Sequence, residues 1–178
     1  MIIAITILSI VAGIIVLLLL IALFMKKGYQ THREIVIHAP RGQVFDYLKY
    51  IKNQDNFNKW IMIDPSMKRE YKGADGTVGF VYAWNGNKEA GEGEQEIKAI
   101  TEGKNIDMEL RFVRPFAGIA HAKMTTESVL DDETKVTWNT ASEMKYPLNI
   151  MLPMIVNMLE KDMGSSLETL KNILEKKY

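Results

Sequence analysis

The chain has 178 residues, three histidines, no cysteine and a formal net charge of zero, from 22 basic and 22 acidic side chains. Balanced charge leaves no electrostatic footprint for nucleic acid. The lack of cysteine excludes disulfides, thiolate metal sites and a cysteine nucleophile together.

The first element is "MIIAITILSIVAGIIVLLLLIALFM", residues 1–25, in which only Thr6, Ser9 and Gly13 interrupt the apolar letters. As a helix it would be roughly 37 Å long against a hydrocarbon core of about 30 Å, enough to span with some tilt. The competing reading, a cleaved signal peptide, requires a basic start, an apolar core of about 7–15 residues and a small-x-small cleavage site. Here no Lys or Arg precedes the run, which ends in Phe24-Met25-Lys26-Lys27. The sequence therefore predicts an uncleaved transmembrane anchor over 1–25. Lys26 and Lys27 follow it and nothing basic precedes it, so the positive-inside rule makes this a single-pass cell-membrane protein with its C-terminal domain in the cytoplasm. Residues 26–31 read as a linker, and 32–178 as one domain of about 150 residues with a single core.

"HREIVIHAP" (32–40) alternates Ile35 and Ile37 with Glu34 and Val36 and stops at Pro40, which predicts a strand. "PRGQVFDYLKYIKN" (40–53) spaces Val44, Phe45, Leu48 and Ile51 as a helix does, and a short second helix is expected around Gln54–Trp60. From Met67 the period falls to two. Turn signals recur at 73–76, at Asn85-Gly86-Asn87, at 102–104 and at 131–133, which predicts six consecutive antiparallel strands. Asn85-Gly86 is expected to form a tight turn with positive φ, leaving Gly91 and Gly93 in the next strand. A phosphate cradle would need a helix directly after the glycines. Instead Glu92, Glu94 and Glu96 line one face of a strand there and would repel an anion. "LPMIVNMLEKDMGSSLETLKNILEKKY" (152–178) repeats apolar residues at steps of three or four, from Leu152 and Ile155 through Leu159, Met163, Leu167 and Leu170 to Leu174. Lys161, Glu168, Lys171 and Glu175 fill the opposite face, so this is an amphipathic helix long enough to cover a whole sheet. Gly164 in its middle points either to tight packing on the sheet or to room for a ligand.

Alternation sorts the strand faces. Val78, Phe80, Tyr82 and Trp84 share one side, as do Gly93, Gln95 and Ile97, and Ile106, Met108, Leu110 and Phe112. Ala122, Met124, Thr126 and Ser128 form the next set, and Val136, Trp138, Thr140, Ser142 and Met144 the last. His32, His38 and His121 show no metal-ligand spacing, so no metal site, cofactor or catalytic residue is expected. Glu92, Glu94 and Glu96 read as a solvated face, the inward alternative being a general acid with raised pKa. Arg114 either pairs with a ligand headgroup or reaches water.

The order strand, two helices, six strands and long helix resembles the START-like helix-grip fold. The letters resemble the polyketide cyclase/dehydrase and lipid-transport family of the SRPBCC superfamily. Six stretches carry the resemblance in order: "IVIHAPRGQVFDYL" (35–48), "FNKWIMIDPSMKREYKG" (57–73), "VGFVYAWNGNKEAGEGEQEI" (78–97), "LRFVRPF" (110–116), "TKVTWNTASEMKYPLN" (134–149) and "MGSSLETLKNILE" (163–175). Many members also begin with one apolar helix, which identifies a membrane-anchored branch. Where members carry Trp-x-x-Trp before Asp-Pro, this chain has Phe57 and Trp60. The resemblance implies an α+β fold: a curved antiparallel sheet of about seven strands wrapped around a long C-terminal helix, after one transmembrane helix.

A sheet curled around a helix leaves a space for a hydrophobic molecule. Its expected lining is Phe80, Tyr82, Trp84, Gln95, Met108, Leu110, Phe112, Met124, Thr126, Trp138, Thr140, Ser142 and Met163. The expected function is membrane-anchored binding of a lipid or other hydrophobic small molecule, with the bilayer engaged through residues 1–25. Two other classes stay open: a polyketide cyclase/dehydratase-like enzyme working by proton transfer, and a protein-interaction or chaperone-regulating domain.

Overall fold

The computed structural model describes residues 2–176; Met1 of the expected anchor and the last two residues of the expected domain lie outside that range. Helix α1 (Ile2–Phe24) buries only Ala22 among its residues. It is the one described helix long and apolar enough to cross a membrane. Strand β1 (Gly28–Ile37) starts inside the stretch expected to be a linker. The early start has a pairing cause: Gly28 faces Glu143 and Thr31 faces Thr140 on the last strand, which needs these residues to complete its ladder.

Helix α2 (Arg41–Lys49) follows, burying Val44, Phe45 and Leu48. The expected second helix is two pieces, a 3-10 turn at Ile51–Asn56 and the short α3 (Lys59–Met62). The break occurs because the Asn58 side chain accepts from Trp60 N at 3.1 Å and starts a new helix. Strands β2 (Lys68–Lys72), β3 (Val81–Asn85), β4 (Glu92–Thr101), β5 (Asn105–Arg114), β6 (Gly118–Leu130) and β7 (Glu133–Glu143) complete one seven-stranded antiparallel sheet, ordered β1-β7-β6-β5-β4-β3-β2. Helix α4 (Leu152–Glu175) crosses it.

The core lies between sheet and helices, where Met163, Leu167, Leu170 and Leu174 of α4 meet Phe80, Tyr82, Ile97, Met108, Met124 and Trp138. Val78 does not share this face; it precedes β3 and is 60% exposed. Nor does Gly164 mark the close approach of α4, since a Cβ there would meet nothing within 4 Å. Ser166 does. It is fully buried, its hydroxyl accepts from Lys59 N at 3.0 Å and donates to Asp162 O at 2.8 Å, and it thereby ties α3 to α4.

The Asn85-Gly86 segment is a turn of a different kind from the one expected. Gly86 does not adopt positive φ; Gly91 does, at 68°, and it precedes β4 instead of lying in it. Asn87 builds the loop: its side chain accepts from Glu89 N at 2.8 Å and Ala90 N at 3.0 Å, and its carbonyl accepts from Gly91 N. Asp64 closes it from below by accepting from Asn87 N at 2.7 Å.

Candidate ligand-binding site

The thirteen side chains expected to line a cavity separate into two groups. Phe80, Tyr82, Met108, Met124, Trp138 and Met163 belong to the packed core, with Trp84 and Leu110 partly buried against it. Gln95 and Thr126 are buried as well. Two hollows open at the margins of this core, one of them sharing Met108 with it. One, of about 420 Å³, lies across β1, β7, β6 and β5, and Met108 and Thr140 contribute to it. The other, of about 1190 Å³, lies at the end of the sheet where α1 joins, and Phe112 and Ser142 contribute to it.

Local bonding explains why the polar letters do not form one cluster. The Thr126 hydroxyl donates to Gly103 O at 3.1 Å and the Ser142 hydroxyl to Ile119 O at 2.7 Å, so backbone carbonyls satisfy both. Gln95 instead joins a buried amide chain that the sequence did not disclose. Gln95 Nε2 donates to Gln54 Oε1 at 3.2 Å, Asn58 Nδ2 donates to the same oxygen at 3.0 Å, and Gln54 Nε2 points at Met108 Sδ, 3.8 Å away. Gln54 and Asn58 sit in "NQDNFN", a stretch whose polarity reads as surface. Trp138 packs edge-on against Trp60, ring centroids 5.7 Å apart, and its Nε1 is a buried donor with no partner among the described residues.

The Tyr82 hydroxyl donates to Asp55 Oδ1 at 2.6 Å and accepts from Arg69 Nε at 3.0 Å. Burial, reinforced by the Asp55 carboxylate, pushes the Tyr82 phenol well above the ordinary tyrosine range. It is therefore a neutral donor at physiological pH, and its bonds tie β3 to β2 and the 3-10 turn. The glutamates of β4 face away from the core. Arg111 bridges Glu94 at 2.7 Å and Glu96 at 2.9 Å, and Arg114 pairs with Glu92 at 2.8 Å and Asn85 Oδ1 at 2.8 Å. Arg114 is thus paired on the outer face of the sheet while its side chain stays 45% exposed to water. Among the described residues no group of three or more His, Asp or Glu is arranged to hold a metal ion.

The larger hollow is built by chain ends and turns. Gly28 and Tyr29 begin β1, Phe112 and Pro115 to Ile119 carry β5 into β6, and Ala141 to Lys145 with Leu148 lead from β7 toward α4. Most of these positions lie outside the strand centres that alternation singles out. The one signal for them in the sequence is Phe116, an aromatic placed in a turn. A backbone bond from Met144 N to Lys27 O at 2.9 Å and two from Asn149 Nδ2, to Ala22 O at 2.7 Å and Met25 O at 3.1 Å, hold α1 to this same end.

No protein-family model matches the chain, and no curated protein does. Solved structures do. Ara h 8.0201 superposes with a TM-score of 0.60 at 16% identity, over 83% of this chain and 97% of its own. Seven antiparallel strands gripping one long C-terminal helix decide the architecture. The fold is the START-like helix-grip fold. Norcoclaurine synthase from Thalictrum flavum, solved with dopamine and hydroxybenzaldehyde, shares it with a TM-score of 0.63 at 14% identity, over 87% of this chain and 91% of its own. XoxI from Bacillus cereus shares it with a TM-score of 0.61 at 11% identity, over 82% and 94%. At these identities the likeness is one of helix-grip fold.

Proposed function

We propose that this protein binds a lipid or other hydrophobic small molecule beside a membrane to which α1 tethers it. One observation carries the reading. The larger hollow, about 1190 Å³ with Phe112, Pro115, Phe116, Met144 and Leu148 in its wall, opens at the end of the sheet from which α1 departs. Its volume exceeds that of an ordinary small-molecule pocket. Greasy ligands partition into bilayers, and a tether keeps the hollow at that source, which raises the effective concentration for exchange. Lys26 and Lys27 follow α1 directly and favour the cytoplasmic side for the domain. The helix-grip neighbours, one of them solved with two aromatic small molecules, are consistent with a fold that encloses such ligands.

Native mass spectrometry of the full chain, before and after incubation with membrane lipid extract, tests the proposal. The expected result is a stoichiometric hydrophobic adduct that disappears in Gly118→Trp. Gly118 lines the hollow and has open space where a side chain would begin, so the indole fills the site without disturbing the backbone. A clean apo mass under both conditions, or an adduct that Gly118→Trp leaves unchanged, sinks the reading.

A further inference from the structure

Helix α4 changes character along its length. From Lys161 onward its outward positions carry Lys161, Glu168, Lys171 and Glu175, as a solvated helix face does. Before Glu160 there is no charged residue back to Pro147. In that half Leu152 is buried and Ile155 and Leu159 are half-buried, while Met154 and Met158, one helical turn apart, are 62% and 53% exposed. Met151, just before the helix, is exposed too. A helix segment whose polar residues reduce to one exposed Asn, Asn157, is normally covered along its apolar stripe. The β5–β6 turn repeats the pattern: residues 115–120 carry no charge, and Phe116 and Ile119 are both more than half exposed.

Three observations place the start of this stripe, at Met151, near the β5–β6 turn and say what covers it, and Met154 and Met158 continue it along the same helix face. Phe116 and Leu148 line the same hollow. Asn149, between Leu148 and Met151, bonds the last turn of α1 through Ala22 O and Met25 O. Lys26, Lys27 and Lys145 lie at this end, against Glu143 as the acidic residue of the same segments. Apolar side chains ringed by lysines form the pattern of an interfacial membrane surface.

We propose that Phe116, Ile119, Met151, Met154 and Met158 form a rim that lies in the headgroup layer of the membrane carrying α1, so that the large hollow opens onto lipid and not onto water. The inference rests on the reading that α1 spans a bilayer. It adds that the domain is docked face-down, where a flexibly tethered one would float. A hydrophobic ligand then moves between leaflet and hollow without crossing the aqueous phase.

Because the chain has no cysteine, single-cysteine labelling reads this directly. Full-length Ile10→Cys, Phe116→Cys, Met154→Cys and Ser128→Cys variants, each carrying an environment-sensitive dye, are reconstituted into phosphatidylcholine vesicles containing phosphatidylglycerol. The vesicles are compared with and without a nitroxide near the headgroup end of the acyl chains. Docking requires that the labels at 10, 116 and 154 lose fluorescence to the nitroxide while 128, at the far hairpin, keeps it. If 10 is quenched while 116 and 154 stay as bright as 128, the anchor stands and the docked rim is wrong. If 10, 116 and 154 all stay bright, both readings fall. Labels at 116 and 154 that are shielded from aqueous iodide yet unquenched by lipid nitroxide assign the rim to a second copy of the chain and overturn membrane docking.

Discussion

Trp138 shows what a single buried side chain contributes here and what it leaves open. It is 5% exposed and meets Trp60 edge to face. Truncating such a ring costs about 3–5 kcal/mol through lost burial and the cavity left behind. Trp138→Ala should therefore lower the urea midpoint by that equivalent, and an unchanged midpoint would mean that the last strand turns its other face inward. Trp138→Phe should cost clearly less, because the indole Nε1 it removes has no partner to lose. Tyr82 governs behaviour at alkaline pH. Its folded pKa is raised by burial and by the Asp55 carboxylate, so the fold favours the neutral phenol. Its contribution to stability is complete below the unfolded tyrosine value of about 10 and is lost as pH rises above it. Following tyrosinate absorbance in the wild type and in Tyr82→Phe should reveal no phenol belonging to Tyr82 that ionises before the chain unfolds. One that titrates normally in the folded state would contradict its bonding to Asp55 and Arg69.

Elements are held together by close approaches that single letters permit. In the β3–β4 ladder Trp84 lies opposite Gly93. A Cβ at Gly93 would sit 2.7 Å from the Trp84 ring and 2.6 Å from Arg111 O. The glycine therefore makes room for an indole that stacks edge-on with Phe112 at 5.9 Å. Gly93→Ala should destabilise by about 1–3 kcal/mol through overpacking, measured by thermal unfolding, with the backbone carbonyl unable to yield. A neutral result would show that the β4–β5 pair can slide apart. Between α1 and the domain the side-chain connection is Asn149, buried and donating to two carbonyls at the end of α1, Ala22 O and Met25 O. Asn149→Ala should broaden the distribution of distances between spin labels at Ile10→Cys and Ser128→Cys while leaving far-ultraviolet circular dichroism unchanged. Equal widths would mean that the anchor is set by the chain link alone.

For the molecule as a whole, packing divides the expected cavity lining between the core and the margins of open space. Most aromatic and methionine side chains of the inner sheet face are taken up in the core shared with α2 and α4, and the larger open space lies at the end of the sheet near α1. Gly118→Trp, which fills that space, and Trp138→Ala, which empties the core, should consequently act differently. The first should abolish ligand uptake at unchanged stability, and the second should lower stability first. The same end of the sheet carries the exposed Phe116, and α4, with the exposed Met154 and Met158, begins a few residues beyond Leu148 of the hollow wall. Helix α1 and the hollow thus meet at one pole, and the ion pairs of Arg111 and Arg114 stay on the outer face of the sheet.

The architecture was legible in the letters because it rests on periodicity. The two-residue alternation from Met67 to Met144 and the three-to-four spacing of α4 each select one face, and burying both faces against one another leaves few arrangements. The six motifs supplied the strand order, which periodicity does not contain. Tertiary structure alone decided where space remains. Whether Phe80 or Tyr82 lines a void or fills a core depends on partners distant in the chain, such as Tyr71 against both rings and Asp55 on the Tyr82 hydroxyl. Buried amides were invisible for a related reason: Gln54 and Asn58 are polar letters in a polar run, and only the folded chain brings Gln95 to them. Local sequence determines which face a residue occupies. Contacts between residues far apart in the chain determine what that face meets.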